Sequence, residues 1–100
     1  MLHSDRRRRK KLIDDYKARE YTQARECLGL TADSLASLLG YLEDRLAEVP
    51  RDHSPRLTRE WAEQNGHEKQ RVEDGVTAFG GYCDCEVAAN VTPDKFGWAS

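Results

Sequence analysis

The residues of this chain best suited to chemistry are two cysteines separated by a single residue, Cys83 and Cys85. Residues two apart on a β-strand project to the same side, so both thiols can bind one metal ion there. His53 offers a third ligand of a kind that zinc prefers. We therefore predict a zinc site at His53, Cys83 and Cys85, with a fourth ligand drawn from Asp52, His67 or Cys27.

The same two thiols admit other interpretations. A lone Cys-x-Cys pattern also fits two buried cysteines that pack as small hydrophobic side chains, without any metal. As a redox pair they would act as attacking and resolving thiols, but the negative charge of Asp84 and Glu86 opposes thiolate formation and slows attack. Hydrolytic chemistry has less support, because Asp52 and His53 can pair as base and orienting group but no nucleophile or oxyanion loop accompanies them.

The charge of the chain is divided unevenly along its length. Residues 1–30 hold nine Lys and Arg against five Asp and Glu, whereas residues 31–100 hold seven against thirteen. A run of adjacent cations usually marks a solvated arm, and such a run can also bind nucleic-acid phosphates through counterion release. We interpret residues 1–11 as a basic flexible arm, and the alternative function is nucleic-acid binding through Arg6, Arg7, Arg8, Arg9, Lys10 and Lys11.

Hydrophobic periodicity predicts two helices in the first half of the chain. Residues 12–28 and residues 31–49 carry apolar side chains at the spacing of one helical face. The second helix has Thr31 as its N-cap and Pro50 directly after its end. The packed side of this second helix is expected to include Leu38, Leu39 and Leu42.

Beyond residue 50 the pattern predicts two shorter helices and a strand. A hydroxyl cap followed by proline, Ser54-Pro55, starts a helix that stops at Asn65-Gly66, and a further helix covers residues 67–78. After Gly80-Gly81 the apolar period changes to two, which is typical of a strand with one buried face. The inward-facing residues of this strand are expected to be Cys83, Cys85, Val87, Ala89 and Val91.

These elements predict a small α+β domain that is mostly helical, with three or four helices followed by a C-terminal β-strand. One hundred residues leave room for about one domain. Residues 12–92 would form it, and residues 93–100 would be a tail in which Phe96 and Trp98 can fold back. No apolar run is long enough to cross a bilayer or to act as a secretory signal, so we expect a cytoplasmic protein with reduced thiols.

Three segments of the sequence, in this order, resemble a small bacterial domain family of unknown function. They are Arg51-Asp52-His53-Ser54, then Leu57-Thr58-Arg59 with Trp61, and then Gly80-Gly81-Tyr82-Cys83-Asp84-Cys85-Glu86-Val87 followed by Asn90-Val91. Members of the family read Cys-Asp-His-Thr, Leu-Arg-x-Thr-Arg and Gly-Gly-Phe/Tyr-Cys-Asp-Cys-Glu-Val. The similarity spans roughly residues 30–92, and its last segment is the most specific part.

The resemblance implies that His53, Cys83 and Cys85 belong to one site, together with a thiol at the position that Arg51 occupies here. The permanent positive charge of an arginine disfavours a nearby divalent cation. Either the chain has kept the fold without the metal, or the ligand set is completed by water, Asp52 or Cys27.

The function expected from the sequence is that of a small non-enzymatic binding or accessory module, which acts through a protein partner and is stabilised by zinc where the metal site forms. The first alternative is a nucleic-acid-associated protein that uses the basic residues of the 1–11 segment. The second is a thiol oxidoreductase that uses Cys83 and Cys85. No activity is established for the family that the sequence resembles.

Overall fold

Five α-helices and one 3-10 helix make up the described part of the chain, which is residues 17–50 and 52–98 of a computed structural model. Helix α1 covers residues 17–28, counted from the first described residue. It is followed by α2 (Ala32–Glu48), α3 (Arg56–Gln64), α4 (Lys69–Thr77), α5 (Asp84–Asn90) and the 3-10 helix (Pro93–Phe96). None of the described helices is long and apolar enough to cross a bilayer.

The end of α1 is fixed by a glycine and by an arginine from α4. Gly29 has a φ of 75°, a left-handed conformation that glycine adopts without steric cost and that often terminates helices. The guanidinium of Arg71 donates hydrogen bonds of 2.9 and 3.0 Å to the carbonyl oxygens of Glu26 and Cys27. These carbonyls have no partner within the helix, and the positive charge suits the negative end of the helix dipole.

Helix α2 confirms the predicted cap and apolar face. The Thr31 hydroxyl accepts a 3.1 Å hydrogen bond from the backbone N–H of Ser34, and the helix ends two residues before Pro50. Leu39 packs against the core while staying partly exposed. The fully buried residues of this helix, each with no exposed surface, are Leu35, Leu38 and Leu42.

Helices α3 and α4 also form where the sequence predicts them, but α3 is not capped as predicted. Its predicted apolar residues Leu57 and Trp61 are both buried. The Ser54 hydroxyl does not cap this helix, so that prediction is wrong: it donates instead to the carboxylate of Asp52 over 2.7 Å. In α4, Gly75 faces the end of α1, where any side chain would collide with a backbone carbonyl.

The predicted C-terminal β-strand is wrong, because residues 84–90 form helix α5 and no strand occurs within residues 17–50 and 52–98. The α+β class is therefore wrong as well, and the described fold is all helical. Asp84 and Glu86 lie in the first turn of α5, where negative charge is favourable. The buried residues Asp84, Val87 and Val91 recur at helical spacing, whereas Ala89, which the strand would bury, is exposed.

Phe96 and Trp98, near the end of the chain, fold back onto the helices, as the sequence allows. Phe96 has no exposed surface and lies edge-on to Phe79, with the ring centroids 4.8 Å apart. Trp98 packs against Phe96 at 5.2 Å. From α1, Arg25 donates a 2.8 Å hydrogen bond to the Phe96 carbonyl and lies over the Trp98 ring. The hydrophobic core therefore extends from α1 to the residues that follow α5.

Candidate functional site

A helix begins between Cys83 and Cys85. Cys83 is the extended residue that precedes α5, with φ −140° and ψ 170°, and Cys85 lies inside the helix. The backbone changes from extended to helical directly after Cys83, so the two-residue alternation of a strand does not extend over both cysteines. The strand geometry that would place both thiols on one side is therefore missing, and this premise of the zinc prediction is wrong.

The residue between the two cysteines, Asp84, is buried and hydrogen-bonded to another helix. Asp84 is 4% exposed, and its carboxylate accepts three hydrogen bonds from the start of α3. Its Oδ2 accepts from the backbone N–H of Leu57 over 2.9 Å. Its Oδ1 accepts from both the backbone N–H and the hydroxyl of Thr58, over 2.9 and 2.8 Å. Asp84 is thus the N-terminal cap of α3, although it lies 26 residues further along the chain.

The physical reason for this contact is the unmet hydrogen-bonding capacity of a helix N-terminus. The first N–H groups of a helix have no partner within it, and the positive end of the helix dipole attracts an anion. A buried carboxylate is costly unless it is hydrogen-bonded, and these donors meet that requirement. In return, the backbone N–H of Asp84 donates to the Ser54 carbonyl over 3.1 Å. We call these four hydrogen bonds, which join Asp84 to Ser54, Leu57 and Thr58, the Asp84 clasp.

The loop before the clasp presents a large exposed aromatic side chain. Gly80 has a φ of 86°, and its carbonyl accepts a 3.0 Å hydrogen bond from the side-chain amide of Asn90. At Gly81 a Cβ would lie only 2.8 Å from a methyl group of Val87, so no larger residue fits there. Tyr82 follows, with 64% of its surface exposed. The loop is therefore held on both sides while its tyrosine points into solvent.

His53 lies beside a small cavity near the clasp. Its φ of 58° is the only left-handed value at a non-glycine residue in the described chain. Asp52 holds this turn by accepting hydrogen bonds from the Ser54 backbone N–H and hydroxyl, and the hydroxyl in particular lowers the pKa of Asp52 below its usual range. The cavity has room for about one water molecule and is lined by Leu46, Pro50, Asp52, His53, Ser54, Arg56, Leu57, Asp84 and Cys85.

These positions do not assemble the predicted zinc site. Among the described residues, no group of three or more His, Cys, Asp or Glu side chains is arranged to hold a metal ion. His53 and Cys85 share the small cavity, but Cys83 does not line it. The Cys83 thiol is buried and lies 3.4 Å from the Glu86 carboxylate, and burial raises its pKa, which disfavours the thiolate that zinc requires. Zinc binding remains a prediction from the sequence.

The other predicted site residues lie apart from this cavity or outside the described chain. Cys27 is exposed near the end of α1, where its carbonyl is bound by Arg71. His67 stacks on Trp61 with the ring centroids 5.1 Å apart. Arg51 and the basic run from Arg6 to Lys11 lie outside the described residues, so nucleic-acid binding also remains a prediction.

Sequence reasoning missed the two residues that stand out in this structure, Asp84 and Tyr82. Under the strand interpretation Asp84 faced outward, because the apolar alternation placed it opposite the cysteines. The helical spacing of Asp84, Val87 and Val91 was the available signal for its burial. No local signal pointed to the Asp84 clasp, since the partner groups are backbone N–H groups of a distant helix.

The clasp and the tyrosine loop lie within a segment that is shared with other proteins. Residues 38–90 match DUF2695, a protein family of unknown function. Uncharacterized proteins of Mycobacterium tuberculosis (Rv2271) and Mycobacterium bovis (Mb2294) are 40% identical to this chain over 90 residues, which covers 90% of this chain and 91% of each relative. No solved structure matches the chain. The resemblance to a small bacterial family of unknown function is confirmed, and the chain belongs to the DUF2695 family.

Proposed function

We propose that this protein is a non-enzymatic protein-binding module whose contact with its partner is centred on Tyr82. The observation that carries the proposal is the exposure of this tyrosine on a loop held in place by its neighbours. Among the described residues it is the only large hydrophobic residue that is mostly exposed; the others are buried or partly buried. Tyrosine is enriched among the residues that dominate binding energy at protein interfaces.

The packing around Tyr82 supports a binding role because it limits the entropy lost on association. A side chain presented by a mobile loop loses conformational freedom when a partner binds, and that loss weakens the complex. Here the loop backbone is already fixed by Gly81, which is packed against Val87, and by the hydrogen bond from Asn90 to the Gly80 carbonyl. The Asp84 clasp holds the chain two residues further on.

The polar groups next to Tyr82 support binding rather than catalysis. Both carboxylate oxygens of Asp84 accept hydrogen bonds from α3, so this acid is occupied in a structural role. The Cys83 thiol is buried with a raised pKa, so it is a poor nucleophile near neutral pH. We also propose that the protein acts in the cytoplasm, because its cysteines Cys27, Cys83 and Cys85 are all free.

Photocrosslinking in the cells that make the protein tests this proposal. One variant carries the photoreactive residue p-benzoylphenylalanine in place of Tyr82, and a matched control carries it in place of Gln23, which is exposed on α1. We expect one discrete protein adduct from position 82 and none of the same mass from position 23. Absence of any adduct at position 82, or the same adducts at both positions, would contradict the proposal.

A further inference from the structure

A groove between α2 and α5 begins three residues after Tyr82. It is open to solvent, has a volume of about 540 Å³ and is lined by Leu46, Cys85, Glu86, Ala88 and Ala89. Ala88 and Ala89 are exposed, and Leu46 is only partly buried. The groove therefore has a shallow apolar floor made of small side chains, with Leu46 on the opposite wall.

The one charged residue in the lining of this groove is a glutamate, and a second glutamate lies beside it. Glu86, on α5, lies in its lining. Glu43 lies one helical turn before Leu46 on α2, so the side chains of Glu43 and Leu46 are neighbours on the surface of that helix. Neither glutamate forms an ion pair with another described residue, and the groove lining contains no cation. Several cations of the domain are engaged in ion pairs elsewhere, namely Arg45, Arg56, Arg59 and Lys69.

We propose that this groove binds a basic amphipathic helix of the partner protein, and this inference rests on the proposed function. The apolar side of the partner helix would lie on Leu46, Ala88 and Ala89. Its Lys and Arg side chains would face Glu43 and Glu86, because opposite charges at an interface favour association and orient the partner. A helix is the expected ligand shape, since two helices form the groove and amphipathic helices bind in such grooves through side chains spaced three and four residues apart.

The inference is tested with synthetic peptides and the full chain. The probe is an 18-residue amphipathic peptide of Leu and Lys, and the control is the same design with Glu in place of Lys. Fluorescence anisotropy measures the Kd of each. We expect the Leu/Lys peptide to bind and the Leu/Glu peptide to bind at least ~10-fold more weakly, with the difference shrinking at high salt.

Variants then show whether the peptide occupies the groove. Ala89→Trp fills the groove and should weaken Leu/Lys binding at least ~10-fold. The matched control Ala32→Trp places the same side chain at the other end of α2, about 21 Å from Leu46 along the helix axis, and should leave the Kd unchanged. Melting temperatures establish that both variants are folded.

A pair of charge variants keeps the test valid should Ala89→Trp disturb folding. The double variant Glu43→Gln with Glu86→Gln should bind the Leu/Lys peptide about 5-fold more weakly, whereas Glu68→Gln, at an exposed glutamate before α4, should not. Bound peptide should also slow alkylation of Cys85 in the groove, while alkylation of the exposed Cys27 continues at its free rate.

Four results would overturn the inference, and the last of them would leave the proposed function in place. The first is equal binding of the two peptides, and the second is equal Kd values for Ala89→Trp and Ala32→Trp. The third is binding that appears only after residues 1–11 are deleted, which would show that the basic run of the chain itself occupies the groove. The fourth is a partner adduct at position 82 that persists in the groove variants, which would reject this groove alone.

Discussion

At the scale of single residues, the structure assigns Asp84 a task that is usually performed by a neighbour in sequence. Most helices are capped by the residue directly before them, as Thr31 caps α2. In α3 that position is held by Pro55, which has no side-chain hydrogen-bonding group, and the cap comes instead from α5. Because Asp84 belongs to α5, the hydrogen bonds that cap α3 also hold α5 in position. The Asp84 clasp therefore joins these two helices.

Asp84→Asn should therefore destabilise the protein by about 2–3 kcal/mol, because it removes a charged acceptor and leaves buried donors poorly matched. The measurement is the urea denaturation midpoint. Asp44→Asn, at an exposed acid of α2, is the matched control and should change stability by less than about 0.5 kcal/mol. Equal midpoints for the two variants would show that the clasp contributes nothing to stability.

The three cysteines should differ in their rates of alkylation. Cys27 is exposed and Cys85 partly exposed, whereas Cys83 is buried with its pKa raised mainly by that burial. In the native protein Cys83 should react last, since the thiolate is the reactive form. Mass spectrometry of iodoacetamide time courses at neutral pH gives the order, and rapid modification of Cys83 would contradict the buried position.

The raised pKa of Cys83 also gives its ionisation a definite effect on stability. The thiol of Cys83 ionises at a lower pH in the unfolded chain than in the folded one. Its contribution to the free energy of unfolding is therefore complete below the ordinary thiol pKa of about 8.5. That contribution is lost as the pH rises toward the folded-state value. Stability should therefore fall less steeply above about pH 8.5 in Cys83→Ala than in the unmodified chain.

At the scale of elements, most of the helices could be predicted from the sequence because their signals are local. Thr31, Pro50 and the apolar stripe of α2 act within one segment, and the structure confirms them. Helix α5 was not predicted because it has only seven residues, too few to separate a helical period from alternation. The cap of α3 was missed for a different reason: it depends on a contact between residues 26 apart in the chain.

The two adjacent leucines of α2 offer a direct test of which side of that helix is packed. Leu38 has no exposed surface, so Leu38→Ala should cost about 2–5 kcal/mol through lost burial and the cavity left behind. Leu39 is partly exposed, so Leu39→Ala should cost clearly less. Chemical denaturation of both variants measures the difference, and a larger loss for Leu39→Ala would reverse the assigned face.

At the scale of the whole molecule, the basic run at the start of the chain has its own predicted function, which is tested separately from that of the helical domain. Should residues 1–11 bind nucleic acid, the affinity for a DNA duplex must fall steeply with salt, by a slope of roughly −0.9 per phosphate contact. Deleting residues 1–11 must then abolish binding and leave the melting temperature unchanged. Binding that survives the deletion, or that is absent at low salt, rejects this alternative.

The loop that carries the exposed Tyr82 is held by its glycines, by the Asp84 clasp and by the hydrophobic core. Gly80 and Gly81 shape the loop, the Asp84 clasp anchors the residues that follow it, and the core formed by the five helices supports both. The sequence resemblance includes this loop, but the contacts that fix its backbone could not be predicted, because Val87 and Asn90 make them from a helix where the sequence pattern predicts a strand. The fixed, exposed position of Tyr82 is therefore a property of the three-dimensional arrangement.

The most direct test of the account is the affinity of the partner identified by crosslinking at position 82. Isothermal titration calorimetry compares the unmodified chain with Tyr82→Ala and with the surface control Gln23→Ala. We predict that Tyr82→Ala weakens binding at least ~30-fold, as expected for a residue that contributes about 2 kcal/mol or more, while its melting temperature stays unchanged. A Kd for Tyr82→Ala equal to that of Gln23→Ala would contradict the claim that this tyrosine is the centre of the interface.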